Sequence, residues 1–175
     1  MNIVPRDLTN VQCIPAGEIR TIPLTRGKYA VVDAADYEWL SQWKWCAGGK
    51  GYAERWSRNA SGHRIKIGMH SLIIGIKPGY EPDHVNGDRL DNRRSNLRHA
   101  TRSQNMANKK ARQGTSLYKG VSWSKCSKKW RADIMKNRKQ QYIGSFATES
   151  EAAAAYNRVA VILFGEFARL NRLEV

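Results

Sequence analysis

Asp83-His84-Val85-Asn86-Gly87-Asp88-Arg89-Leu90-Asp91-Asn92-Arg93-Arg94-Ser95-Asn96-Leu97-Arg98 is the stretch on which the reading turns. It is polar, breaks at Asn86-Gly87-Asp88 as a turn, and its end, Ser95 to Arg98, predicts a short helix. Hydrolysis of a phosphodiester needs an activated water, a cation on the scissile phosphate and a donor for the leaving oxygen. Asp83 offers a hard oxygen ligand suited to a magnesium-type ion. His84 beside it offers an imidazole, the natural base near neutral pH. A nearby amide can hold the second imidazole nitrogen. Taken singly, Asp83 and His84 are ordinary turn residues and Asn96 an ordinary helix cap. The order of the whole string carries the information.

Asn96 follows His84 by twelve residues and Asn105 follows Asn96 by nine. On that spacing, the segment from about His70 to Asn108 resembles the core of HNH homing-type endonucleases, in the branch whose last motif histidine is asparagine. The resemblance implies a ββα-metal unit, two short strands and a helix around one divalent cation, Mg²⁺ or Mn²⁺. It makes His84 the general base, Asp83 a metal ligand, Asn96 the residue that orients His84, and Asn105 the second metal ligand. The zinc-ribbon cysteines of some relatives are absent, so no structural zinc is expected. His70 is expected to pack, and His63 and His99 to lie on the surface.

Beyond residue 114 the pattern resets. Three strand candidates (Tyr118–Trp123, Trp130–Met135, Gln141–Phe146) precede an alanine-rich helix that Thr148 caps, with Glu151 completing a capping box. Lys119, Lys125, Lys128, Lys129, Arg131, Lys136, Arg138 and Lys139 decorate those strands beside Trp123, Trp130 and Tyr142. A sheet can enter the major groove and read base edges with alternate side chains while lysines meet phosphates. Tyr118-Lys119-Gly120-Val121, Trp130-Arg131-Ala132-Asp133-Ile134, Tyr142-Ile143-Gly144-Ser145-Phe146, the run Glu151 to Tyr156 and the run Gly165 to Asn171 together resemble an AP2/ERF DNA-binding domain. That resemblance implies one helix behind a three-stranded antiparallel sheet, with Lys119, Ser122, Ser124, Arg131 and Tyr142 facing DNA; among the decorating lysines Lys129 is a further candidate DNA contact. Plant members carry arginines where this chain has Ser122 and Ser124, which removes two guanine-reading guanidinia.

The composition agrees with an anionic partner. The 175 residues carry 30 Lys or Arg against 15 Asp or Glu, net +15. Sixteen of those cations and only four acids lie between Asp83 and Gln140. Such a surface releases counterions from nucleic acid. No apolar run reaches the roughly 20 residues of a membrane span, and the first 25 residues lack the basic-then-apolar order of a signal peptide, so export is not expected. Three scattered cysteines (Cys13, Cys46, Cys126) suit free thiols in a reducing compartment.

Residues 1–18 have little periodicity, and hairpins are expected over Ile19–Val32 and around Gly48-Gly49-Lys50-Gly51. The alternation Ile65, Ile67, Met69 predicts a half-buried strand. The expected class is α+β: a β-rich supporting segment over 1–68, the nuclease core over 69–110, a linker over 111–113 and the AP2/ERF-like domain over 114–175. The expected function is a metal-dependent DNA endonuclease of the mobile, phage-associated kind with a separate targeting module. The expected partner is double-stranded DNA, with no membrane and no small-molecule cofactor, and the expected state a cytoplasmic, nucleoid-associated monomer of a bacterial or phage-infected cell. Two other classes compete: a non-catalytic AP2/ERF-type transcriptional regulator with a decayed nuclease, and an RNA-binding protein.

Overall fold

The computed structural model describes residues 17–111 and 114–173. The expected irregular start over 1–16, Cys13, and positions 112 and 113 of the expected linker lie outside them. The chain divides into two compact units, one built from residues 17–78 and 82–99, the other from 79–81, 100–111 and 114–173.

The first unit begins with the expected hairpin. Strand β1 (Ile19–Pro23) pairs antiparallel with β2 (Tyr29–Asp33) through a tight turn at Thr25–Gly27. The buried positions Ile22, Ala30 and Val32 face the core, as period-two alternation requires. Asp33 precedes α1 (Ala34–Leu40). Leu40 of that helix is fully buried, and Tyr37 and Trp43 pack against the same core. A second sheet has the order β3 (Cys46–Ala47), β4 (Ala53–Arg58), β5 (Arg64–Gly68), all antiparallel. The expected alternation in β5 holds only in part. Ile65 is exposed, whereas Met69 is fully buried because it opens the next helix, α2 (Met69–Ile74), rather than extending the strand.

The decisive stretch then forms β6 (Glu81–His84), a loop, a 3-10 turn at Arg94–Asn96 and β7 (Leu97–Ala100), paired with β6. The helix expected over Ser95–Arg98 is therefore a single tight turn running into a strand. The carbonyl of Asn96 accepts the N–H of Val85 at 2.8 Å, so the backbone here serves the partner strand rather than a helical ladder.

In the second unit α3 (Arg102–Asn108) carries a capping box between Thr101 and Gln104. Its Ala107 joins a buried cluster with Ile134, Tyr156, Ala160 and Phe164. This apolar contact is why α3 belongs with the residues beyond 114, and why the division falls near residue 100 rather than at the expected linker. Strands β8 (Val121–Ser124), β9 (Lys129–Lys136) and β10 (Lys139–Phe146) form one antiparallel sheet with β9 central. Helix α4 (Glu149–Phe164) begins at the Thr148–Glu151 capping box and lays its alanines on that sheet. Small side chains let helix and sheet approach closely. Gly120 shows the same constraint: its φ is +74°, and a Cβ there would collide with the Tyr156 ring and the Asp133 carbonyl.

Candidate active site

His84 sits at the end of β6 and is almost wholly buried. Its Nε2 lies 3.4 Å from Oδ1 of Asn92, itself fully buried. An amide oxygen can only accept, so this contact puts the ring proton on Nε2 and the lone pair on Nδ1. Asn92 is held in turn: its Nδ2 donates to the Leu90 carbonyl at 3.1 Å, and its N–H donates to the Val31 carbonyl at 2.7 Å. The Val31 N–H donates back to the Leu90 carbonyl at 2.8 Å, so β2 grips the loop directly.

Burial pushes His84 below the ordinary histidine range. The Asn92 hydrogen bond and then the carboxylates of Asp83, Asp88 and Asp91 pull the other way. An imidazole so placed is neutral at neutral pH, the protonation state a base needs. Two rings flank it: His70 edge-on at 5.4 Å and Tyr52 at 5.8 Å. Burial, and the neighbouring His84, push His70 down to about 4. The Arg89 guanidinium covers Tyr52 at 4.9 Å and ties itself to the Lys50 carbonyl at 2.5 Å.

Asp83 is buried beside His84, and its Oδ2 accepts from Arg98 Nε at 3.0 Å. Asn96 is buried and engaged at both ends of its amide. Oδ1 accepts the Asn86 N–H at 3.0 Å, and Nδ2 donates to the Asp91 carbonyl at 2.7 Å. Asn96 therefore acts on the loop that leaves His84, while Asn92 is the amide beside the ring. Gly87 turns that loop with φ of +76°. The Asp91 carboxylate is clamped by Arg93 and by Asn86, which holds it below the usual carboxylate range. The 3-10 turn bearing Asn96 is anchored through Arg94, whose guanidinium makes two 2.7 Å bonds to the fully buried Asp36 of α1.

Asn105 belongs to the second unit, on α3, where its Nδ2 donates to Glu81 Oε2 at 3.0 Å. Of the residues expected to face DNA, Ser122 and Ser124 lie on β8, Lys129 and Arg131 on β9, and Tyr142 on β10. The Arg131 guanidinium is pinned by the Asp133 carboxylate at 2.7 and 2.8 Å and stacks 5.0 Å from the Tyr142 ring. Ser122 is paired directly opposite Arg131. Lys119 stands differently. Its ammonium donates to the Met106 and Ala107 carbonyls at the end of α3, and burial with the nearby Arg169 lowers its pKa to about 8.

Sequence reasoning assigned no role to Asn92 or Tyr52 and gave His70 only packing. Asn92 lies within the Asp83–Arg98 stretch, but its contact depends on a loop that folds back over eight residues. Tyr52 comes from a distant hairpin and left no local sign.

A family model for HNH endonucleases matches residues 74–107. A protein of Acanthamoeba polyphaga mimivirus named as an uncharacterized HNH endonuclease is 35% identical over 153 residues, covering 85% of this chain and 78% of the relative. Protein 3.8 of Escherichia phage T7 is 37% identical over 97 residues, covering 55% of this chain and 79% of its own length. No solved structure matches.

Proposed function

Because this chain belongs to the HNH endonuclease family and is a DNA endonuclease, we propose that His84 is its general base, that a divalent cation assists it, and that the C-terminal sheet is a separate DNA-targeting module. The observation that carries the reading is His84 itself: buried, held neutral, and oriented through Nε2 by Asn92, with Asp83 as its neighbour. Its Nδ1 lone pair takes the proton of the attacking water, and the fixed loop keeps the ring from rotating away.

Asp83 and Asn105 are the proposed ligands of the cation. The donor chemistry fits a hard ion: Asp83 supplies a carboxylate, and Asn105, whose amide nitrogen donates to Glu81, has an amide carbonyl oxygen to offer. When bound, Mg²⁺ or Mn²⁺ supplies charge to the scissile phosphate and the leaving oxygen. Arg98 pairs with Asp83 and fixes that carboxylate in its buried place. Asn96 is a positioning residue that sets the loop after His84.

The targeting role rests on the exposed face of β8–β10. Ser122, Ser124, Lys129, Arg131 and Tyr142 are the proposed DNA contacts there, with Arg131 pre-oriented by Asp133. A guanidinium held in its fork geometry suits bidentate reading of a base edge. This arrangement, with α4 behind the sheet, supports an AP2/ERF-like module. Lys119, expected among the residues facing DNA, enters the proposal instead as the cation on the α3 carbonyls. A mobile, phage-type endonuclease that acts on double-stranded DNA as a monomer in the cytoplasm is the complete reading.

Supercoiled plasmid incubated with and without Mg²⁺ or Mn²⁺ tests it. Nicked or linear product that needs the cation supports the proposal, and cation-independent cutting removes the metal from it.

A further inference from the structure

The basic, aromatic surface of the first unit has no part in the site above. Residues 44–68 hold six Lys or Arg and one acid, Glu54. The β4–β5 register pairs Trp56 with Lys66 and Arg58 with Arg64. Residues paired directly across an antiparallel ladder share a face, so these four project together. All four are exposed. The opposite face serves the core, where Arg55 stacks over Trp43 at 4.4 Å.

Trp56 is 49% exposed although no core cluster of the described residues includes it. The Arg64 guanidinium covers its ring at 4.2 Å, and the Lys66 ammonium lies 5.1 Å from it. Lys66 is also paired with Glu54 at 2.7 Å, whereas Arg58 donates to the Gly62 carbonyl at 2.8 Å and keeps its charge. A two-stranded ribbon matches the width of the DNA major groove, and cations along it meet phosphates.

We propose that this face of the β4–β5 hairpin is a second duplex-DNA contact, in which Arg58 and Arg64 engage backbone phosphates and Trp56 holds the Arg64 guanidinium flat against the DNA. The inference rests on the DNA endonuclease reading. It differs from the targeting proposal in giving the nuclease unit a hold on DNA of its own. Charged residues on the edge strand β5 also discourage strand pairing between molecules, but that function needs neither an exposed tryptophan nor cations gathered on one face.

The test uses the full chain and a labelled duplex in EDTA, with affinity measured by fluorescence anisotropy between 50 and 200 mM salt. Two phosphate contacts contribute about 1.8 to the slope of log K against log salt. The Arg58→Ala/Arg64→Ala variant is expected to bind more weakly, with a slope shallower by about that amount. Lys66→Ala, already neutralised by Glu54, changes the slope less, and Glu54→Gln, which releases Lys66, steepens it. Wild-type tryptophan emission changes on duplex addition, and part of that change disappears in Trp56→Phe. A double variant with wild-type slope and affinity, beside a wild type that binds, overturns this inference alone. A wild type that binds no duplex overturns the underlying DNA reading as well. Tighter binding of single strands than of duplex, abolished by Trp56→Ala, overturns the duplex form of the proposal.

Discussion

Replacing Asn96 by alanine isolates what the loop contributes. The side chain is 6% exposed and makes two hydrogen bonds, to the Asn86 N–H at 3.0 Å and to the Asp91 carbonyl at 2.7 Å. A buried group stripped of its partner costs about 1–3 kcal/mol. Asp91 is buried and bears the full cost, while Asn86 is exposed and recovers much of its share from water. Asn96→Ala should therefore lower the opening free energy of this region by about 2–3 kcal/mol. Hydrogen exchange of peptides spanning residues 84–98 reads that quantity locally. The rate should fall by a comparable free energy, about 2.7 kcal/mol, because a reacting group displaced by about 1 Å costs about 100-fold. Single-turnover nicking should drop by that order while duplex affinity stays near wild type. Asn96→Asp keeps the acceptor for Asn86 but sets an oxygen against the Asp91 carbonyl, so it should be no better than alanine. Wild-type nicking by Asn96→Ala, or exchange unchanged within about 0.5 kcal/mol, would refute the assignment of Asn96 as the brace of this loop.

His84→Ala should abolish plasmid cleavage and leave duplex binding unchanged; cutting at the wild-type rate removes His84 from the mechanism. Arg131→Ala should weaken duplex binding about tenfold or more in a gel-shift titration, and relaxed sequence preference should accompany the loss if the guanidinium reads a base. Asn105→Ala should cut poorly with Mg²⁺ and partly recover with Mn²⁺, whereas the exposed Arg102→Ala on the same helix should stay near wild type; the reverse order means the helix register is misassigned. His70 sits at about 4 in the folded chain against an ordinary 6.5, so between those values the unfolded chain binds the proton that the folded chain refuses. Its contribution to stability is thus present above pH 6.5 and lost as pH falls toward 4. Urea titrations of His70→Phe between pH 4 and 7 should show a flatter pH dependence than wild type.

What the sequence made legible was local. The Thr148–Glu151 capping box, the three strands before it and the hairpin at Thr25–Gly27 are written in contiguous residues with fixed spacing, and the structure has them. The Asp83-His84 pair was legible because its neighbours in sequence are also its neighbours on β6. Contacts set by tertiary packing were not. Arg94 reaches Asp36 across 58 positions, and no periodicity links them. Lys119 read as a surface cation among other lysines, yet the α3 carbonyls capture it. The short helix expected at Ser95 failed for the same reason: strand pairing outweighed a weak local preference.

The two bonds between Val31 and the Leu90–Asn92 segment bear on how this nuclease is inherited and rebuilt. A shuffled gene or a designed chimera that carries residues 69–110 into a foreign chain takes His84 and Asn96 along but leaves behind the strand that seats Asn92. It also leaves Asp36, the anchor of Arg94. The smallest portable cassette therefore starts upstream of Ile19, far from the motif by which its members are recognised. Transplants cut at the motif edge should carry an intact signature and a slack imidazole.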